Sequence, residues 1–446
     1  MRKGKLSKLL AVVLSVALAG SVLSGCGNGG NQTSSVGAVS AKAGSSSESV
    51  TLKILDWESD EMNAAIKDSL DNVFSKSHPD IKVEVVKGSY SDWGQELQTM
   101  ITAGEAPDVF QGGYDMAASF YQKKLLTDWT DRLSKDSDFS DSFYTGMLKG
   151  WQIGGKTFGF PSLVNVYGVF YNKDLLTKAG LTEPSEDWTW DDLWNMAKKL
   201  TDRSAKKYGL YNLDTSIFGI ANISVSNGGA SFMDNIIETK QVAIDDELMK
   251  QIDNIKGLIA DGVIPSRTYD ASNQQSMFEA GSIPLMYYGQ WEIDSLVRNS
   301  PKFQWGYAPV PKGSACRATT YDTVGWMSPQ NLPHPNETWE LIKFMSSDMY
   351  KTVLQKTPVA PCANKTAAET FYDAVNAKNH PEAVKSVQTM METEKKNGVR
   401  YAADWSSDVG KIWDTVYNNY LDGKGNVTKD QLRDALKKVN DTIAAS

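Results

Sequence analysis

Lys156–Asp174, KTFGFPSLVNVYGVFYNKD, is the stretch on which the reading of this chain turns. It follows two glycines, Gly154 and Gly155, passes through Gly159 and Pro161, and runs on as aromatic and β-branched residues to Tyr171. An unbroken apolar run of this kind suits a strand buried on both faces of a helix-covered sheet. Side chains alternate along a strand, so Asn165, Tyr167, Val169 and Tyr171 share one face. Val164, Val166, Gly168 and Phe170 take the other. The polar tips of Asn165 and Tyr167 then look the same way. The next residues, YNKDLLTKAGLTEPSEDWTWDDLWNMAKKL, read as helix, turn and helix. We expect the chain to leave one α/β lobe here and enter a second, with the functional residues on either side.

Upstream, Val50–Trp57 reads as a first strand, Glu61–Ser75 as an amphipathic helix and Ile81–Val86 as a second strand. Trp93–Ala103 is the next helix, and Gly104–Phe110 a turn feeding a third strand. Alternation of this kind predicts a parallel sheet with right-handed crossovers, whose ligands collect at the carboxyl ends of the strands. Trp57-Glu58 and Gln111–Tyr114 occupy those ends. Downstream, Trp190–Thr201 and Asp246–Asp261 read as helices, Ile283–Tyr288 and Val324–Ser328 as short strands, and Trp305–Pro311 as extended. Thr338–Ser346 is a further helix, and the tail from Ser407 to Ile443 is mainly helical with a break at Gly423–Gly425.

The 446 residues are 41% hydrophobic and 22% charged, an ordinary globular balance. Arg2, Lys3, Lys5 and Lys8 precede LLAVVLSVALAGSVL, an apolar run too short for a comfortable span and suited to a signal segment. Without those four cations the formal charge of −8 becomes −12, and an acidic body argues against nucleic acid as partner. Leu23-Ser24-Gly25-Cys26 looks like a lipobox, so residues 1–25 are read as a lipoprotein leader and Cys26 as the lipidated terminus. An ordinary signal peptide with an incidental cysteine is the alternative. Residues 26–49, rich in Gly and Ser, form a flexible tether. Cys316 and Cys362 remain; outside the cytoplasm they pair, or they are two buried thiols.

Gly150–Thr157 matches the phosphate-loop spacing, but Phe158-Gly159-Phe160-Pro161 forbids the helix that loop requires. It reads as a glycine turn between two strands. Asp422–Gln431 has the spacing of a degraded calcium loop, without its central glycine or closing glutamate, and reads as a turn entering a helix. All three histidines, His78, His334 and His380, precede prolines, which removes a zinc helix. No metal and no cofactor is expected. The informative excess is aromatic: 13 tryptophans and 18 tyrosines. Trp151, Trp194 and Trp339 are expected in the core, whereas Trp57, Trp291 and Trp326 stand at strand ends among acids and amides. A sugar ring has an apolar C–H face and a hydroxyl rim, so an indole covers the one while carboxylates and amides satisfy the other.

In this order the residues resemble the extracellular solute-binding proteins of carbohydrate ABC importers, the superfamily that includes maltose-binding protein. The likeness rests on the lipobox, Ala103–Val109, Gly159-Phe160-Pro161 with Tyr171–Leu175, Asn227-Gly228-Gly229, Phe278–Trp291 and Pro309–Gly313 taken together. It implies a type II periplasmic-binding-protein-like α/β fold, two discontinuous lobes joined by hinge strands. Lobe one would be residues 50–164 plus 310–347, and lobe two 165–309 plus 348–446. It places ligand contacts at Trp57, Glu58, Gln111, Tyr114, Asn165 and Tyr167, then at Asn227, Gln290, Trp291, Asp322, Trp326, Arg400 and Trp405. The implied protein is a monomer without enzymatic activity, held outside the cytoplasmic membrane by its lipid. It would hand a carbohydrate to the permease subunits of an importer. The alternatives are the same fold for a peptide, polyamine or anion, and a secreted carbohydrate-active enzyme.

Overall fold

β-branched and aromatic residues concentrate where the backbone extends. The computed structural model describes residues 49–88, 93–144, 146–234, 239–269, 272–393, 395–396 and 415–445. Its strands are β1 (Val50–Asp56), β2 (Ile81–Lys87), β3 (Val109–Gly112), β4 (Gln152–Ile153), β5 (Lys156–Thr157) and β6 (Gly159–Asn172). They continue with β7 (Leu285–Gly289), β8 (Trp305–Pro309), β9 (Ala318–Thr319), β10 (Tyr321–Met327) and β11 (Lys395–Lys396). The main sheet runs β2-β1-β3-β10-β6-β7, with β8 also on β6. β1 is parallel to both β2 and β3, as the alternating pattern predicts. β10 enters antiparallel between β3 and β6.

β6 is the long strand foreseen around Pro161, buried throughout except at Asn165 and Tyr167. It serves two sets of partners. From Gly159 to Val166 it pairs with β10; from Tyr167 onward it pairs with β7, and from Gly168 also with β8. Gly168 stands where the strands crowd: a Cβ there would lie 2.6 Å from the Ala308 carbonyl oxygen. The exchange of partners between Val166 and Tyr167 divides the sheet into two halves.

Several expectations hold and others shift. β4 and β5 form the anticipated glycine hairpin, with Gly154 and Gly155 at φ of 57° and 77°. The helix expected over Glu61–Ser75 begins at Asp60, capped by Ser59, whose hydroxyl accepts from the Met62 N–H. It loosens into a π turn over Leu70–Phe74. The apolar stretch at Ser216–Ile223 is helical, Ile217–Ser226, and buried almost all round. Trp151, Trp194 and Trp339 are core residues, as read. No helix among the described residues is long and apolar enough to cross a membrane.

The helix Tyr350–Lys356 packs on Asp60–Ser69, with Thr352 Oγ1 donating to Ser69 Oγ at 2.7 Å and Lys356 paired to Asp68. Val164 N–H then bonds the Pro361 carbonyl, and Ala363 N–H that of Ser162. Chain beyond residue 347 thus first lines the β10-paired half of β6. The later helix Pro381–Met391 lies against β8, where Ser386 Oγ donates to the Tyr307 carbonyl at 2.6 Å.

Glu292, at the start of the helix Glu292–Asn299, is fully buried and its Oε2 accepts from Gln275 Nε2 at 2.5 Å. Burial, with Glu279 and Asp294 adding like charge, pushes this carboxyl up to about 8. A carboxyl that gains proton affinity on folding stabilises the fold at low pH, and that contribution fades as pH climbs through about 8. Glu292→Gln should therefore raise Tm by about 5 °C at about pH 9 and by far less at about pH 5. Equal shifts in thermal scans at the two pH values would show that another group titrates.

Candidate functional site

Where β1 and β3 end, the chain must turn out of the sheet, and the residues there face outward. Trp57 and Glu58 follow β1; Gly113 and Tyr114 follow β3. Across from them lie Asn165 and Tyr167 of β6, Asp322, Thr323 and Val324 of β10, and Trp291 after β7. Together they bound a cavity of about 720 Å³, a size ordinary for a small-molecule site.

Its walls are aromatic on both sides. Trp57 meets Trp93 edge-on, centroids 4.9 Å apart, while Trp93 Nε1 donates to the Gln111 carbonyl at 3.0 Å. Opposite, Trp291 meets the Tyr167 ring at 5.4 Å and 86°, and Tyr288 at 5.2 Å. Gly289 permits that pose: a Cβ there would sit 1.9 Å from the Trp291 ring.

The polar groups are set from behind. Glu58 is half-buried; its Oε1 accepts from Gln111 Nε2 at 2.6 Å, and Gln111 Oε1 in turn accepts from the Trp57 N–H at 3.4 Å. Burial drives the Glu58 carboxyl up to about 7; the Gln111 bond offsets part of that rise, and Asp56 adds to it. Asp56 is itself fully buried and raised by burial. On the other wall, Asn165 Nδ2 donates to Asp322 Oδ1 at 2.8 Å. Gln290 Nε2 donates to Asn165 Oδ1 at 3.3 Å and to the Val359 carbonyl at 3.4 Å. Gln290 Oε1 accepts from Val166 N–H at 2.7 Å, while Gln290 N–H donates to Val166 O at 3.1 Å. Gln290 thus completes the ladder where β6 changes partners.

Of the residues singled out from sequence, Trp57, Glu58, Tyr114, Asn165, Tyr167, Trp291 and Asp322 line this cavity together. Gln111 and Gln290 do not: both are fully buried and act by holding Glu58 and Asn165. Trp326 is a correction, since it has no exposed surface. It shares a strand face with Asp322, but further along, where that face runs under Tyr350 rather than into the cavity. Asn227 is a second correction. It closes the helix Ile217–Ser226, donating to the Ile223 carbonyl at 2.9 Å and accepting from Ser314 N–H at 3.2 Å, away from the lining. Of the two readings of Cys316 and Cys362, unbonded thiols hold and the disulfide does not. Cys362 is a buried thiol against the Ser346 carbonyl, while Cys316 Sγ lies 3.6 Å from that of Val225. Cys26, Arg400 and Trp405 lie outside the described residues.

Trp93, Asp115, Met116, Val359 and Ala360 also line the cavity and were not foreseen. For Trp93 a signal exists: it opens its helix, and helical side chains lean back toward the helix N-terminus. Gln290→Leu strands the Val166 N–H without a partner and should lower stability by about 2 kcal/mol. Urea denaturation measures this; a change below about 0.5 kcal/mol would mean that water replaces the amide.

A family model for bacterial extracellular solute-binding proteins matches residues 56–352. An uncharacterized lipoprotein of Streptomyces antibioticus is 26% identical over 319 residues, 66% of each chain. The galactooligosaccharide-binding protein of Bacillus subtilis is 26% identical over 280 residues, 61% of this chain and 62% of its own. The chain thus spans between 62% and 66% of the length of these curated relatives. An ABC substrate-binding protein of Listeria monocytogenes, solved in complex with cycloalternan, matches with a TM-score of 0.73 at 22% identity. That match covers 89% of this chain and 98% of the other. The likeness establishes the fold as two-lobed, type II periplasmic-binding-protein-like α/β. With the family's pattern running from the end of β1 to the helix Tyr350–Lys356, the chain belongs to the bacterial extracellular solute-binding proteins.

Proposed function

We propose that this protein is the lipid-anchored receptor of a carbohydrate ABC importer, which captures a sugar or oligosaccharide outside the cell and performs no chemistry on it. The observation that carries the reading is the cavity: facing indole and phenol rings with Glu58, Asn165 and Asp322 between them. Rings cover the C–H faces of a sugar, and the carboxylates and amide take its hydroxyls, so that a wrong sugar leaves buried groups unpaired. The ligands named for one relative and one structural neighbour, a galactooligosaccharide and cycloalternan, lend the same support.

Closure of two lobes around the ligand is the accompanying mechanism. We take lobe one as residues 50–164 plus 310–347, extended through about residue 363 because that segment packs on the first half of β6. Lobe two takes residues 165–309 and the rest of the chain. Anchorage through Cys26, delivery to membrane permease subunits and a monomeric state complete the proposal; one relative's description as a lipoprotein supports the first.

A carbohydrate-active enzyme is the second reading, favoured by one observation: a Glu58 carboxyl at about 7 has the proton affinity a general acid needs. Titration of the full chain with an oligosaccharide panel, followed by tryptophan fluorescence and product analysis, separates the two. Saturable fluorescence change without product is expected, and turnover at low protein concentration would sink the receptor. Trp291→Ala should weaken sugar binding at least about tenfold, the scale of one lost stacking contact. Unaltered affinity would remove that indole from the site.

A further inference from the structure

Among the described residues, the carboxylates at the end of β1 are short of positive charge. Glu58 N–H donates to Asp56 Oδ1 at 3.1 Å, which stacks one acid directly behind the other. Asp56 is fully buried and its Oδ2 has no hydrogen-bond partner. From β3 the group facing Glu58 is the neutral Gln111, and from the helix Tyr350–Lys356 it is the Tyr350 phenol. The cation reaching Asp56 is Lys87, at the end of β2, and its ammonium is already engaged by Asp60 at 2.5 Å. Among the described residues no Lys or Arg lines the cavity beside Glu58. Aromatic faces surround this acidic wall, and they attract cations as well as C–H groups.

Resting on the saccharide reading above, we propose that the occupant is a basic, amine-bearing sugar whose ammonium faces Glu58 between Trp57 and Trp93. Such a group supplies the missing countercharge and donates to the Glu58 oxygen that Gln111 does not hold. A wholly neutral sugar leaves the stacked carboxylates as uncompensated as they are without it. Because burial raises Glu58 to about 7, the ammonium should displace its proton on binding, and the advantage should fade as pH falls below that value.

The test uses the full chain in detergent with matched probes: glucose against glucosamine, galactose against galactosamine, and cellotetraose against the corresponding β-1,4-linked glucosamine tetramer. At about pH 7 the amine-bearing member of each bound pair should bind about tenfold more tightly, as one half-exposed charge pair allows. The ratio should shrink toward unity at about pH 5.5, and calorimetry in two buffers should register proton release with the amine alone. Glu58→Gln should level each pair; should that variant not fold, the pH series on the unaltered chain decides. Neutral members binding as well as or better than amines would overturn this inference and leave the receptor standing. Failure of every probe, neutral and basic alike, would remove the saccharide reading along with it.

Discussion

One strand belongs to two half-sheets, and the molecule is arranged to let it. A backbone buried on both sides must have its N–H and C=O groups paired at every step. β6 meets that demand with β10 until Val166 and with β7 and β8 afterwards. At the seam the Val166 N–H is taken by the Gln290 side chain, which supplies the rung. The same amide fixes the sense of Asn165 and through it touches Asp322, so the polar side of the cavity is oriented by the group that bridges the sheet. Site and seam are therefore one hydrogen-bonded unit rather than neighbours.

The other wall is built on a different principle. Gln111 gives each end of its amide a task, one on the Trp57 backbone and one on Glu58, so the acid is aimed without being neutralised. Burial then raises the carboxyl, which holds its proton near neutrality. Glu292 follows the same logic in the other half of the molecule, where Gln275 is an amide partner and not a base. In both places a glutamine stands where an arginine would have made a permanent ion pair.

Much of this is legible in the sequence because strand ends are. An apolar run closed by Asp56-Trp57-Glu58, or by Gln111-Gly112-Gly113-Tyr114, puts polar and aromatic residues where the chain must leave the sheet. Trp57, Glu58, Tyr114 and Trp291, read from strand ends, meet in the cavity, and Asn165, Tyr167 and Asp322, placed by the family resemblance, meet them there. What sequence hides is depth. Trp326 shares the face of Asp322 but lies under a helix contributed by residues 350–356, which no local pattern announces. Gln111 and Gln290 were placed at the site yet serve it from behind, since only burial tells a ligand contact from its support. Asn227 ends a helix where an apolar run shows no strand or helix period. The segment after residue 347 returns to the first half of the sheet by tertiary contacts, which composition does not encode.

The buried sulfur of Cys362 carries a consequence for its reactivity. Held between the Ser346 carbonyl and the Asn364 N–H, and pushed by burial up to about 12, it is almost never a thiolate. Oxidants and alkylating reagents attack thiolates. Here that sulfur is kept in its inert form by its surroundings, with no need of a second sulfur to guard it.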